Sequence, residues 1–282
     1  MTTIVANAAF NMNAVDLVGS INYDFVSLNS AAAIFFDDAN NYQAFSGFGL
    51  DYNAFGEPIS GTITGAETVE NGATIYQYSD FSILAVTLYS LIIDNDFQTL
   101  FDTILAGNDS ISGSAFKDVI QGNDGDDIVN GNGGNDVIFG GIGTDTLSGG
   151  DFNDRLYGNS GADLLDGQNG LDTLTGGGGP DTFQFSTKLK AKNIDTVTDF
   201  SVADDTINLS SAIFTKAGAI GELNSWRFAT GPQAADGLDR IIYNDATGAL
   251  YYDSDGDGAA AAVQFAQLST GLALTSADFQ IV

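Results

Sequence analysis

The chain has 282 residues, 44% of them hydrophobic, enough to fold as one long domain or two to three small modules and too apolar for a wholly disordered protein. Its 37 acidic and 8 basic residues give a net charge of −29, which excludes nucleic-acid binding and disfavours anionic lipid; a folded body this negative repels itself unless a positive species binds it. There is no Cys and no His, which removes disulfide staples, Ser-His-Asp and Cys-His catalysis and most zinc chemistry, and leaves carboxylates, Tyr, Lys and Arg as catalysts.

Residues 1–116 contain no Lys or Arg, so no charged segment precedes an apolar run as it does in a secretory signal peptide. No run of about 18 apolar residues is present, so no membrane-spanning helix is expected. Residues 1–103 read as a β-rich module, with strands expected at 31–36, 42–52, 58–69 and 74–78 from alternating apolar residues and a turn at Gly72. Asp37-Asp38 reads as a solvated turn, because neighbours on a strand point to opposite faces and make a poor acid/base pair. Asp80 is placed to cap a helix running to about residue 93, with Ile83, Val86, Leu88, Leu91 and Ile92 on its apolar side. Asp96 is placed to cap a second helix over 97–105. The hairpin of helices is expected to shield the open end of the segment beginning at residue 104 or to offer a partner surface.

From residue 104 the chain repeats with a period of nine. Nine consecutive units start at 104, 113, 122, 131, 140, 149, 158, 167 and 176, the clearest being Gly140-Gly141-Ile142-Gly143-Thr144-Asp145-Thr146-Leu147-Ser148. The sixth position is always Asp. The eighth is always apolar, from Ile111 to Phe183, and the first is Gly in every unit but that of Ile104. Gly at positions one, two and four points to a tight turn with positive φ. The last three positions form a very short strand with one inward side chain. One unit buries nothing alone, but two units make one coil of a flattened solenoid, and units i and i+2 then stack about 4.8 Å apart.

That spacing sets the chemistry. The Asp residues fall into two columns, Asp109, Asp127, Asp145, Asp163 and Asp181 in one and Asp118, Asp136, Asp154 and Asp172 in the other. Neighbouring carboxylates at this distance repel by roughly 1–4 kcal/mol per pair. A hard divalent cation with several oxygen ligands removes the repulsion. Each Asp supplies a carboxylate, and unshielded glycines at positions one and four supply backbone carbonyls: Gly122, Gly125, Gly131, Gly134, Gly140, Gly143, Gly158 and Gly161 in the best turns. Mg²⁺ is too small and too firmly hydrated for such a cage, so Ca²⁺ is expected, with at most about seven ions between coils.

The pattern Gly-Gly-X-Gly-X-Asp-X-apolar-X resembles the nonapeptide of RTX (repeats-in-toxin) proteins. The likeness is best in units 131–139 and 140–148 and good through 176–184. It implies a Ca²⁺-binding parallel β-roll and export by type I secretion machinery. Three units depart from the pattern: Phe116 and Phe152 stand at position four, and unit 104–112 lacks both leading glycines. Weaker or absent Ca²⁺ binding is expected at those turns.

Beyond the repeat, residues 193–200 and 205–209 look like the strands that succeed such rolls and are expected to continue the stack. Residues 241–243, 249–253 and 261–265 read as a meander. Asp253, Asp255 and Asp257 in Asp253-Ser254-Asp255-Gly256-Asp257-Gly258 look like the start of an EF-hand loop, but Gln264 stands where a bidentate Glu is required and no helices flank it. A single Ca²⁺ in a hairpin turn and a solvated acidic turn are the other readings. The ending Asp278-Phe279-Gln280-Ile281-Val282 resembles an uncleaved C-terminal signal for type I secretion.

The expected fold is predominantly all-β. A β-rich module with two short helices (1–103) precedes a nine-unit parallel β-roll or β-solenoid (104–185), and a C-terminal β cap (186–282) completes the chain. The leading functional reading is a secreted, extracellular, non-enzymatic calcium-binding protein with a structural, adhesive or self-assembling role. Its partners are calcium, the type I secretion machinery, other copies of itself, or polysaccharide and the cell surface. The alternatives are a carboxylate-based polysaccharide-degrading enzyme and a membrane-active protein carrying the same module.

Overall fold

The computed structural model describes residues 107–282 apart from Ser114, together with the backbone of six strands in residues 3–84. Those six strands are β1 (Thr3–Ala6), β2 (Asp24–Asn29), β3 (Ala32–Asp38), β4 (Asn41–Tyr52), β5 (Pro58–Glu70) and β6 (Ala73–Leu84). β2 through β6 form an antiparallel meander, and β1 pairs antiparallel with β6. The strands expected at 31–36, 42–52, 58–69 and 74–78 are all present. Asp37 and Asp38 close β3, where Asp38 pairs with Asn41.

Contrary to the expectation from sequence, Asp80 does not cap a helix: β6 runs on to Leu84, with Ile63 opposite Ile83 and Thr62 opposite Leu84. The ladder with β5 decides the conformation against the helical spacing of the apolar residues. The remaining residues of the two expected helices, 85–106, lie outside the described residues.

The repeat builds β7 (Ser110–Ser112), β8 (Val119–Asp124), β9 (Ile128–Asn130), β10 (Val137–Ile142), β11 (Thr146–Asp151), β12 (Arg155–Ser160), β13 (Leu164–Asn169), β14 (Thr173–Gly178) and β15 (Thr182–Phe185). Odd-numbered strands stack parallel in one sheet and even-numbered strands in the other. The register is a constant eighteen residues; Ile120, Ile138, Leu156 and Leu174 lie above one another. Most strands run six residues, longer than the expected three. The ladder crosses the leading glycine and resumes at positions two and three, as in Gly141 opposite Asn159 and Ile142 opposite Ser160. The core is one inward side chain per unit, Ile111 through Phe183, each at most 2% exposed. Burying each contributes about 1.5–3 kcal/mol.

The rest of the chain continues both sheets and then closes them. β16 (Asp195–Val197) adds parallel to β14, and β17 (Thr206–Leu209) adds parallel to β15. Next come β18 (Gly221–Glu222), β19 (Phe228–Thr230), β20 (Ile241–Asn244), β21 (Ala249–Tyr252), β22 (Val263–Gln267) and β23 (Phe279–Ile281). The expected meander is β20-β21-β22, which returns to pair parallel with β16, while β23 pairs parallel with β17. Aromatic packing fills this end: Phe265 stands edge-on to Phe185 at 5.1 Å and to Phe214 at 5.0 Å. Two 3-10 turns, Ser225–Arg227 and Ser276–Asp278, are the helical elements among the described residues. No helix among them is long and apolar enough to cross a membrane.

Candidate metal centre

Each turn lifts its Asp inward beside the next coil. The N–H of Asp109 donates to Asp127 Oδ1 at 2.7 Å, that of Asp127 to Asp145 at 2.9 Å, of Asp145 to Asp163 at 2.8 Å and of Asp163 to Asp181 at 3.0 Å. The other column repeats this from Asp118 to Asp136, Asp154 and Asp172 at 2.8 Å each. All nine Asp residues are at most 2% exposed. One oxygen of each link is thereby used by a backbone donor of the preceding coil.

The other oxygen is not. Oδ2 of Asp127, Asp136, Asp145, Asp154, Asp163 and Asp172 is buried without a hydrogen-bond donor. A buried carboxylate oxygen left without a partner carries a large desolvation penalty. Each of these atoms faces the bare Cα of the leading glycine of its own unit. A Cβ on Gly131 would overlap Asp136 Oδ2 and lie 2.5 Å from the Gly149 carbonyl oxygen; one on Gly149 would lie 2.5 Å from Asp154 Oδ2 and 2.8 Å from the Gly167 carbonyl oxygen. Gly122, Gly140 and Gly158 repeat the arrangement. The leading glycine therefore leaves a small cradle bounded by a carboxylate oxygen of its own unit and a carbonyl oxygen one coil on. An all-oxygen donor set in a flexible turn fits Ca²⁺, and the orphaned oxygen is the atom such an ion would take.

The glycine roles differ from the expectation in one respect. Position one does not take positive φ; its glycine is required for space. Left-handed φ falls at positions two and four, as in Gly141 at 127° and Gly143 at 145°. Gly125, Gly134 and Gly161 at position four are left-handed too, and each closes on the backbone of the coil below. Asn123, Asn132, Asn159 and Gln168 serve at position two with φ of 66–74°. Phe152 keeps the turn as well, at φ 82° with its ring 65% exposed.

Burial dominates the electrostatics. It raises Asp127 and Asp136 to about 7 and Asp154 to about 8, with the repulsion of neighbouring column carboxylates adding to it and the backbone N–H bond opposing it. Asp163 and Asp181 rise to about 6, and Asp145 rises for the same leading reason. Free of metal, the columns at neutral pH hold carboxylates that the fold would rather keep protonated.

Asp253, Asp255 and Asp257 lie in the β21–β22 connection. Asp253 Oδ1 accepts the N–H groups of Asp255 at 3.1 Å and Gly256 at 2.9 Å, and Asp255 Oδ2 accepts that of Ala260 at 3.1 Å. Asp257 is exposed beside Gly237. These bonds brace the loop, while Asp255 Oδ1 is buried without a hydrogen-bond partner. The loop joins two strands, not two helices as an EF-hand requires.

Four further carboxylates enter at the end of the roll. Asp195 Oδ1 accepts the Asp172 N–H at 3.2 Å, and Asp205 Oδ1 accepts the Asp181 N–H at 2.9 Å, so both columns gain a member. Asp199 accepts the N–H groups of Gly176 and Gly177 at 3.0 and 2.9 Å and caps the last turn. Buried Asp166 holds Gln184 and Ser186. The signal for the first two was in the sequence: Asp195-Thr196-Val197 and Asp205-Thr206-Ile207 repeat the Asp-Thr-apolar ending of Asp172-Thr173-Leu174 and Asp181-Thr182-Phe183.

The RTX calcium-binding nonapeptide repeat matches residues 105–138, 112–147 and 148–183. No curated protein matches the chain. Among solved structures, the AlgE6R3 subunit of the Azotobacter vinelandii mannuronan C5-epimerase is 22% identical over 62% of this chain and 78% of its own, with a TM-score of 0.29. The extracellular lipase LipA from Serratia marcescens is 18% identical over 62% of this chain and 38% of its own, with a TM-score of 0.24. The periodic turns, the parallel coils and the sequence match agree: the chain carries a β-roll of RTX calcium-binding nonapeptide repeats.

Proposed function

We propose that this protein is exported unfolded by type I secretion machinery and folds outside the cell on binding several Ca²⁺ ions, where it serves a non-enzymatic structural, adhesive or self-assembling role. The observation that supports this reading is the set of buried, partnerless Asp Oδ2 atoms facing glycine cradles. Such a roll is disfavoured at cytosolic Ca²⁺ levels and favoured at extracellular ones, because binding free energy becomes folding free energy. The candidate export signal at the C-terminus fits this order of events: Phe279 and Ile281 are 0% and 1% exposed in β23, so the segment is readable only before folding.

The assembly role rests on the sheet edges. The fourteen-strand sheet ends on β2, whose outer side has no partner among the described residues, and an open edge is a template for pairing with another chain. A net charge of −29 opposes contact between copies until cations bind. Electron microscopy with Ca²⁺ and with chelator tests this: ordered polymers or sheets appear with Ca²⁺ under the proposal, whereas monodisperse particles in both conditions remove the assembly role. A screen against polysaccharides tests the absence of enzyme activity, and turnover of any of them overturns it.

A further inference from the structure

The outer face of the C-terminal meander carries a cavity that plays no part in the roll. In β20 and β21, Ile241, Tyr243, Leu250 and Tyr252 face the core, so Ile242 and Tyr251, opposite each other in the ladder, face the other way. Ile242 is nevertheless 1% exposed, and Tyr251 is half-buried. Two loops cover them, residues 231–239 before β20 and residues 253–262 between β21 and β22. Between the loops lies a cavity of 440 Å³, floored by Ile242 and Tyr251, with Gln233, Asp253 and Asp257 in its walls. That volume falls in the range of small-ligand sites, about 300–1,000 Å³.

Both walls are braced from within. Asp239 Oδ2 accepts the N–H groups of Ala235 at 2.7 Å and Asp236 at 3.0 Å. The Arg240 guanidinium donates to the Gly237 carbonyl oxygen from Nη1 and Nη2, each at 3.1 Å. On the other side Asp253 Oδ1 takes the N–H groups of Asp255 and Gly256, and Asp255 Oδ2 takes that of Ala260. The two loops meet at Gly256, at φ 74°, where a Cβ would lie 2.7 Å from the Asp236 carbonyl oxygen. A cavity held by its own walls is preformed, which lowers the ordering cost of binding.

The lining divides by chemistry. Ile242 and Tyr251 make an apolar floor with one aromatic ring. Asp253 is 4% exposed, and its Oδ2 accepts no hydrogen bond among the described residues, which leaves it for a donor on a ligand. Asp257 and Gln233 are exposed at the mouth. No Lys or Arg is among the residues lining the cavity. Two carboxylates without a base repel an anion and accept from hydroxyl groups. A pyranose ring matches this division, because its C–H face covers an aromatic ring while its rim carries several O–H donors. A compact ammonium ion would pair with the carboxylates and leave the floor uncovered.

We propose that this cavity binds an uncharged saccharide, a sugar unit of an extracellular polysaccharide. The proposal rests on the adhesive reading and deepens it, since it names the face that grips the polysaccharide and rules out acidic sugars as its ligand.

NMR titration of the full chain in Ca²⁺ tests the site, with neutral gluco-, galacto- and manno-oligosaccharides, oligouronates and oligoglucosamines as probes. At least one neutral probe is expected to bind, and the oligouronates are not. Tyr251→Leu keeps apolar volume and removes the ring, and is expected to weaken neutral binding roughly tenfold. Asp257→Ala, at an exposed position, is expected to weaken it several-fold and carries the test should Tyr251→Leu not fold. Failure of every neutral probe to bind, or neutral binding unchanged in the folded variants, overturns the proposal. Pelleting of the protein with insoluble polysaccharides separates the pocket from the adhesive reading. Pelleting that persists in the variants overturns the pocket alone, whereas wild type that pellets with none of them overturns adhesion to polysaccharide as well.

Discussion

The Asp145 N–H donates to Asp163 Oδ1 at 2.8 Å across eighteen residues, while Asp163 Oδ2 is turned to the bare Cα of Gly158 with no donor. One carboxylate thus joins two coils through one oxygen and presents the other to a cation cradle. The same relation runs through both columns, so the roll's stability and its ion binding share the same atoms.

Replacing Asp163 separates the two tasks. Asp163→Asn keeps an acceptor for the Asp145 N–H and removes the charge. Its folding midpoint in a Ca²⁺ titration shifts to higher concentration, with local affinity reduced on the order of tenfold by the lost carboxylate. Asp163→Ala also strands a buried N–H, at a further cost of about 1–3 kcal/mol. Thermal melts in saturating Ca²⁺ rank wild type above Asn and Asn above Ala; equal melting of the two variants contradicts the double role.

Gly158→Ala and Gly133→Ala test the cradle. A Cβ at Gly158 overlaps Asp163 Oδ2 and lies 2.5 Å from the Gly176 carbonyl oxygen, whereas one at Gly133 meets nothing nearer than 3.9 Å. Gly158→Ala is expected to lose one bound ion by titration calorimetry and to destabilise the roll by about 1 kcal/mol or more, the lower range for overpacking. Gly133→Ala stays within about 0.5 kcal/mol of wild type. Similar behaviour of the two variants removes the spatial argument for the leading glycine.

The carboxylates raised by burial give a signed pH dependence. In the metal-free roll Asp154 stands at about 8, and Asp127 and Asp136 at about 7, against 3.8 when unfolded. The folded state therefore holds more protons than the unfolded chain between these values. Metal-free stability is fullest below about pH 4 and is lost as pH rises through about 6 to 8. Ca²⁺ reverses the trend, since it displaces those protons and binds more tightly as pH rises. Circular dichroism in chelator is expected to show more β signal at about pH 5 than at about pH 8. Calorimetry in buffers of different ionisation enthalpy is expected to show proton release on Ca²⁺ binding.

How much of this was legible in the sequence depended on whether the signal was periodic. Asp at every ninth position named both columns, and the unfailing apolar eighth position named the core, because a solenoid copies one local environment at fixed spacing. Asp195 and Asp205 escaped because their separations from Asp172 and Asp181 are 23 and 24 residues, although each keeps the local Asp-Thr-apolar ending. The helix expected from Asp80 failed for the opposite reason. Ile83 and Leu84 sit in a stretch with helical spacing, but their pairing with Ile63 and Thr62 is a long-range fact that no window around Asp80 contains. Phe152 is a poor residue for its turn by sequence, yet its exposed ring leaves the left-handed backbone free to form.

Each repeat unit gives the core a single inward side chain, so single truncations are costly. Leu156 is 0% exposed between Ile138 and Leu174. Leu156→Ala is expected to destabilise the Ca²⁺-loaded roll by about 2–5 kcal/mol, read as a lower thermal midpoint and a higher Ca²⁺ concentration for folding. A change below about 1 kcal/mol places the stability of the roll elsewhere.

Far-ultraviolet circular dichroism of the full chain during Ca²⁺ titration at neutral pH tests the central claim most directly. The account predicts little β signal in chelator, a cooperative rise to a β spectrum as Ca²⁺ is added, and no such rise with Mg²⁺. A β spectrum in chelator identical to that in Ca²⁺ contradicts it.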